Sequence, residues 1–132
     1  MNLMKKKYLI VVADYYKDIA EGLLKSALKI IPKKNIIKII KVPGAFEIPV
    51  TISKNLKKYD AFLGLGCVIK GQTPHFDFIS KATTEAIMKL SIDNKKPVGN
   101  GIITCLNMSQ ARARKKKGAE AAEAVISVLS QK

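Results

Sequence analysis

A chain of 132 residues is the length of one domain, and a composition 48% hydrophobic with a mean hydropathy of +0.07 is apolar enough to bury a core. Its 24 Lys+Arg against 10 Asp+Glu leave a formal charge of +14, which points to an anionic partner, whether a charged substrate or a nucleic acid. The longest uncharged apolar stretch, residues 61–69, is far shorter than the roughly 20 residues a membrane-spanning helix needs.

Residues 8–13 (YLIVVA) form a β-branched apolar run without alternation, the pattern of a strand buried on both faces of a parallel sheet. Asp14 interrupts this run and no small-residue cleavage pattern follows, so a signal peptide is not expected and a cytoplasmic location is. Over residues 16–31 the apolar side chains Ile19, Leu23, Leu24, Ala27, Leu28 and Ile31 recur at three- and four-residue steps, predicting an amphipathic helix that Pro32 stops. Residues 35–42 read as a second strand, broken by Pro43-Gly44 ahead of a helical stretch over 46–57. Residues 60–69 (DAFLGLGCVI) are a third strand, where Gly64 and Gly66 predict close approach by another backbone or a ligand. A long helix over 75–92 follows, then a glycine-containing fourth strand at 97–104, then a helix over 109–129 with a break expected around 115–118. Strands alternating with helices predict one domain, residues 1–132. The expected fold is a three-layer α/β/α sandwich around a four-stranded parallel sheet, of the flavodoxin-like kind, with ligands at the carboxyl ends of the strands.

His75 is the single histidine, and so the one side chain whose unperturbed pKa lies near neutrality. It sits at the mouth of a helix, where backbone N–H groups favour an anion, so it is a candidate for proton transfer beside a phosphate; the plainer role is helix initiation beside Pro74. Pro43-Gly44-Ala45-Phe46-Glu47 puts an aromatic ring and a carboxylate at a strand-to-helix turn that can hold a polar heterocycle, or is an ordinary turn in which Glu47 complements the helix dipole. Tyr15, at the end of the first strand, can stack on a ring or pack in the core. Arg112 and Arg114 stand in a basic cluster and either can grip a phosphate. Cys67 and Cys105 lack the spacing of a zinc or CxxC site and read as small buried hydrophobes, so neither a metal nor a disulfide is expected. The lysines occur as dispersed pairs without interleaved aromatics, which argues against nucleic acid as the partner.

Taken together, VPGAFEIP (42–49), GCVIKGQTPHFDFI (66–79), PVGNGIIT (97–104) and QARAR (110–114) strongly resemble the lumazine synthase family, in order and spacing, over nearly the whole chain. In that family 5-amino-6-(D-ribitylamino)uracil condenses with 3,4-dihydroxy-2-butanone 4-phosphate, without a cofactor, to give 6,7-dimethyl-8-ribityllumazine, phosphate and water, the penultimate step of riboflavin biosynthesis. The resemblance implies that His75 transfers protons and that Gln72, Thr73 and Arg114 hold the butanone phosphate. It implies that Tyr15, Ala45, Phe46, Glu47, Cys67, Val68, Ile69, Asn100 and Lys117 hold the ribitylaminouracil. Asn100 stands where many relatives place a phenylalanine, and the segment from Arg114 to Gly118 is several residues shorter than usual. The family further implies a homopentamer or a 60-subunit shell with active sites between subunits, and riboflavin synthase as a partner. Two other readings remain open from the residues: a homologue that binds flavin or lumazine without catalysis, and a small basic nucleic-acid-binding α/β protein.

Overall fold

The computed structural model describes residues 5–72 and 75–131. Its elements run β1 (Lys7–Ala13), α1 (Lys17–Ile30), β2 (Ile36–Val42), a 3-10 turn at Ala45–Glu47, α2 (Ile48–Lys54), β3 (Ala61–Ile69), α3 (Phe76–Asn94), β4 (Val98–Cys105), α4 (Met108–Ala113) and α5 (Lys117–Leu129). The four strands are parallel in the order β2-β1-β3-β4, with Tyr8 beside Ile37 and Ala61, and Gly66 beside Ile102.

Alternation along the two inner strands sorts the core into two layers, because successive side chains of a strand point to opposite faces. Tyr8, Ile10 and Val12 of β1, with Leu63 and Leu65 of β3, pack against Leu23 and Ala27 of α1 and Ala121, Ala122 and Val125 of α5. Leu9 and Val11, with Phe62 and Val68, pack against Ile48 and Ile52 of α2 and Ile87 of α3. The expected three-layer α/β/α sandwich is therefore the observed one.

Three local differences from the sequence reading have physical causes. The second strand is not buried: β2 lies at the sheet edge with one neighbour, and Ile36 and Ile39 are 44% and 37% exposed. The helical stretch expected over 46–57 begins as a 3-10 turn and ends at Lys54. The Lys96 ammonium donates to the carbonyls of Leu56 (2.5 Å) and Tyr59 (3.0 Å), holding the chain beyond that end in turns. The close neighbour at Gly64 is a side chain, since a Cβ there would lie 2.9 Å from Ile48 Cγ2, while at Gly66 it is Ala13 of the adjacent strand, whose Cβ and carbonyl oxygen would lie 3.0 and 3.9 Å from an added Cβ, with Ile48 Cδ1 at 3.6 Å.

The break between α4 and α5 is where the sequence places it. Ser26 of α1 pins it, its hydroxyl donating to the Lys115 carbonyl (2.9 Å) and accepting from the Ala119 N–H (3.0 Å).

Candidate active site

Because every strand is parallel, the turns leaving β1, β2 and β3 open at one end of the sheet, and there they enclose a cleft of about 280 Å³. Tyr15, Ala45, Phe46, Glu47, Cys67, Val68 and Gln72 line it, all read from the sequence as site residues. Tyr16, Gly44 and Ile79 complete the wall. Tyr16 was not read as part of the site; its place beside Tyr15 was the available signal, and its ring meets that of Tyr15 edge to face at 4.9 Å.

Each wall is fixed by local structure. The Gly44 N–H donates to Glu47 Oε1 (3.0 Å), and the Thr51 hydroxyl donates to the Glu47 carbonyl (2.8 Å), so the turn holds its own carboxylate in place. Ala45 is buried while Phe46 is 57% exposed, which leaves the phenyl ring free to meet a ligand. Tyr15 is similarly open, at 70%. Cys67 and Val68 come from the carboxyl third of β3. Burial, followed by the neighbouring Cys105 thiol and the hydrogen bond between the two, pushes the Cys67 thiol up to about 12, so it faces the cleft as a neutral group. Glycine at position 71 has φ +86, a left-handed turn residue. Just after it, the Gln72 N–H donates to the Ile69 carbonyl (3.2 Å). Ile69 itself is fully buried in the core and takes part in this turn rather than lining the cleft.

His75 occupies the N-cap of α3, exposed, with its carbonyl accepting from the Ile79 N–H (2.8 Å). Along the chain it falls between the cleft residues Gln72 and Ile79, and it is not itself a lining residue. Thr73 lies outside the described residues.

Arg114 and Lys117 are elsewhere. With Thr104, Lys116 and Glu120 they line a second depression, of about 580 Å³, beside the edge strand β4. The Arg114 Nη1 donates to the Thr104 carbonyl (3.2 Å) and lies 4.0 Å from Cys105 Sγ, while Lys117 pairs with Glu120 at 3.4 Å. Arginine and lysines outnumber the single carboxylate here, so the surface suits an anion. Asn107 fixes the start of α4, the helix that leads into Arg114: its side chain accepts from the Gln110 N–H (2.9 Å) and caps α4, while Gln110 Oε1 accepts from the Leu106 N–H (2.8 Å). This cap was missed in the sequence, although Asn followed three residues later by Gln is a readable start signal. Asn100 lies mid-strand on β4 and lines neither cavity; its Oδ1 accepts from the Ile102 N–H (3.0 Å). Arg112 falls in a third place, a shallow depression with Lys17 and Met108.

The two cavities divide the chemistry: aromatic faces and a carboxylate over β1–β3, cations beside β4. Among the described residues no group of three or more His, Cys, Asp or Glu side chains could hold a metal ion, and no helix is long and apolar enough to cross a membrane.

The chain resembles known proteins over its full extent. Residues 5–132 match the family profile described as 6,7-dimethyl-8-ribityllumazine synthase. A 6,7-dimethyl-8-ribityllumazine synthase of Methylorubrum populi is 40% identical over 144 residues, covering 99% of this chain and 85% of the relative. The same-named proteins of Bartonella tribocorum and Agrobacterium fabrum are 39% and 38% identical, covering 100% and 98% of this chain and 95% and 97% of their own. On that breadth of match, the chain belongs to the 6,7-dimethyl-8-ribityllumazine synthase family.

Proposed function

We propose that this chain condenses 5-amino-6-(D-ribitylamino)uracil with 3,4-dihydroxy-2-butanone 4-phosphate to give 6,7-dimethyl-8-ribityllumazine, phosphate and water, as a transferase of riboflavin biosynthesis. The observation that carries the residue assignment is one cleft at the carboxyl ends of β1–β3 that gathers Tyr15, Ala45, Phe46, Glu47, Cys67, Val68 and Gln72. The aromatic faces of Tyr15 and Phe46 suit a flat pyrimidine, and the Glu47 carboxylate suits the hydroxyls of a ribityl chain. Imine formation, loss of phosphate and ring closure need positioning and proton transfer, and no redox partner. His75, at the start of α3, is the group that moves protons, and Arg114 grips the phosphate.

The placement of the two cavities on the sheet gives the assembly its logic. The aromatic cleft lies over β2, β1 and β3, and the cationic depression lies on the open side of the edge strand β4, whose Thr104 pairs with Val68 of the cleft. A surface on the open side of an edge strand is placed to meet the cleft of a second copy joined head to tail, and such contacts form rings where the rotation closes. We therefore assign the working enzyme as a homopentamer in which one subunit's aromatic cleft receives Arg114 and Lys117 of the next, with Asn100 at that seam. Two free, buried thiols fit a reducing, cytoplasmic setting.

Purified protein with both substrates should form lumazine, read by its absorbance and fluorescence, faster than the uncatalysed condensation. Arg114→Ala should lower kcat/KM for the sugar phosphate about 100-fold, since an arginine–phosphate grip is charge-assisted and bidentate. His75→Ala should slow turnover by roughly 100-fold or more while sparing the uracil's affinity. An absence of acceleration at any protein concentration leaves the binding-only reading. Unchanged turnover in His75→Ala removes the proton-transfer role.

A further inference from the structure

We propose that the end of the sheet opposite the candidate active site binds single-stranded RNA through its phosphate backbone. In the sequence the lysines are dispersed, but each strand is preceded by a cluster of them: Lys5-Lys6-Lys7 leads into β1, Lys33-Lys34 into β2, Lys57-Lys58 into β3 and Lys95-Lys96 into β4. Parallel pairing brings all four clusters to one end. Hydrogen bonds stitch them together in sheet order: the Lys6 N–H donates to Asn35 Oδ1 (2.9 Å), the Lys7 N–H to Asp60 Oδ2 (2.9 Å), and the Phe62 N–H to the Pro97 carbonyl (3.0 Å). Neighbouring strands are about 4.8 Å apart, so the four clusters form a row roughly 15 Å long.

Seven of these nine lysines are exposed, Lys6 and Lys96 being half-buried, and Lys29 and Lys54 in the last turns of α1 and α2 add to the same end. Cations there complement the carbonyl ends of the helices, and Lys96 serves that purpose on Leu56 and Tyr59. That role does not need so many. The acids nearby are engaged: Asp60 accepts from the Lys7 N–H, and Asp93 pairs with Lys89 at 3.0 Å. Nor does the row serve the candidate active site. The nine residues of β3 separate the two ends by about 26 Å, well beyond the screening length of roughly 8 Å at physiological salt.

A row of ammonium groups without arginine suits repeating phosphates held as point charges rather than carboxylates gripped by a fork. At the β4 end of the row a groove of about 380 Å³ has Ile92, Val98 and Val128 in its wall and Lys95 and Lys96 beside them. An unstacked base fits such a groove, which favours a single strand over a duplex. Ammonium groups that hold phosphates carry no base information, so binding is sequence-independent.

The test is fluorescence anisotropy of a labelled mixed-sequence 12-nucleotide RNA against the purified protein at several KCl concentrations. Wild type should bind with an affinity that falls steeply with salt. Each lost contact removes about 0.7 from the salt slope and about 5-fold in affinity at 0.1 M salt, so Lys33→Gln, Lys57→Gln and Lys58→Gln combined should weaken binding roughly 100-fold. Lumazine formation should stay unchanged in that variant. Lys17→Gln with Lys81→Gln, near the starts of α1 and α3 at the other end of the sheet, should change binding little. Equal losses in both variants, no binding at 50 mM KCl, or competition by polyglutamate as strong as by polyuridylate would each overturn the proposal, the last in favour of an acidic protein partner.

Discussion

Gly64→Ala is the sharpest test of how β3 and α2 set the cleft. The added methyl would lie 2.9 Å from Ile48 Cγ2, with Ile87 Cδ1 at 3.6 Å and Ile102 Cδ1 at 3.7 Å. Ordinary carbon contacts are about 3.5–4.0 Å, so the first is too close by more than half an ångström and the other two are normal. Overpacking of a tight core costs about 1–3 kcal/mol, and replacing glycine within a strand returns roughly 0.5–1 kcal/mol of backbone entropy. The net expectation is a loss of about 1–2 kcal/mol, or close to 1 M in the urea midpoint followed by circular dichroism at fixed protein concentration. Ile48 directly follows the Ala45–Glu47 turn, so moving it should also raise KM for the uracil several-fold. Ile48→Leu shifts the branch from Cβ to Cγ and removes the methyl that clashes; alone it should cost under about 1.5 kcal/mol, and with Gly64→Ala it should recover about 1 kcal/mol. A Gly64→Ala protein as stable as wild type, or a double variant showing no coupling, would refute the role given to Gly64.

Further outcomes follow from the same geometry. Asn107→Ala removes the cap of α4 and should cost about 1 kcal/mol in urea unfolding while raising KM for the sugar phosphate, because α4 leads into Arg114; an unchanged KM would separate the cap from the phosphate grip. Cys67 is held protonated in the folded state up to about 12, from an ordinary value of 9.0, so between those limits the folded protein binds more protons than the unfolded chain. The stability this contributes is complete below pH 9 and is lost as pH rises toward 12. Cys67→Ala should therefore show a shallower alkaline decline than wild type, and identical declines would contradict it. Tyr15→Ala should weaken uracil binding about 5- to 100-fold if the exposed ring stacks on it, read by titration of ribitylaminouracil; an unchanged affinity would assign Tyr15 to the packing of Tyr16 alone.

The element order is legible in the residues alone, because strand runs such as YLIVVA and the helical recurrence from Ile19 to Ile31 are local signals of period and length. It also marked the chemistry-bearing segments: the turn at 43–47, the stretch leading to His75, and the basic run at 112–117. Which of these segments meet depends on how the strands pair. Parallel pairing put Tyr15, Phe46 and Cys67 around one cleft and left Arg114 and Lys117 beside β4, a separation that residue spacing does not encode. The edge position of β2 is fixed by strand order, and Lys38 and Lys41 within its run are a local sign of the exposure that the uncharged inner strand β3 lacks. The need for glycine at 64 and 66 likewise depended on Ile48 and Ala13, far enough away in the chain that no local pattern names them. The lysine clusters make the same point: each looks like an isolated solvated pair along the chain, and they form a single charged row because four parallel strands must all begin at the same end.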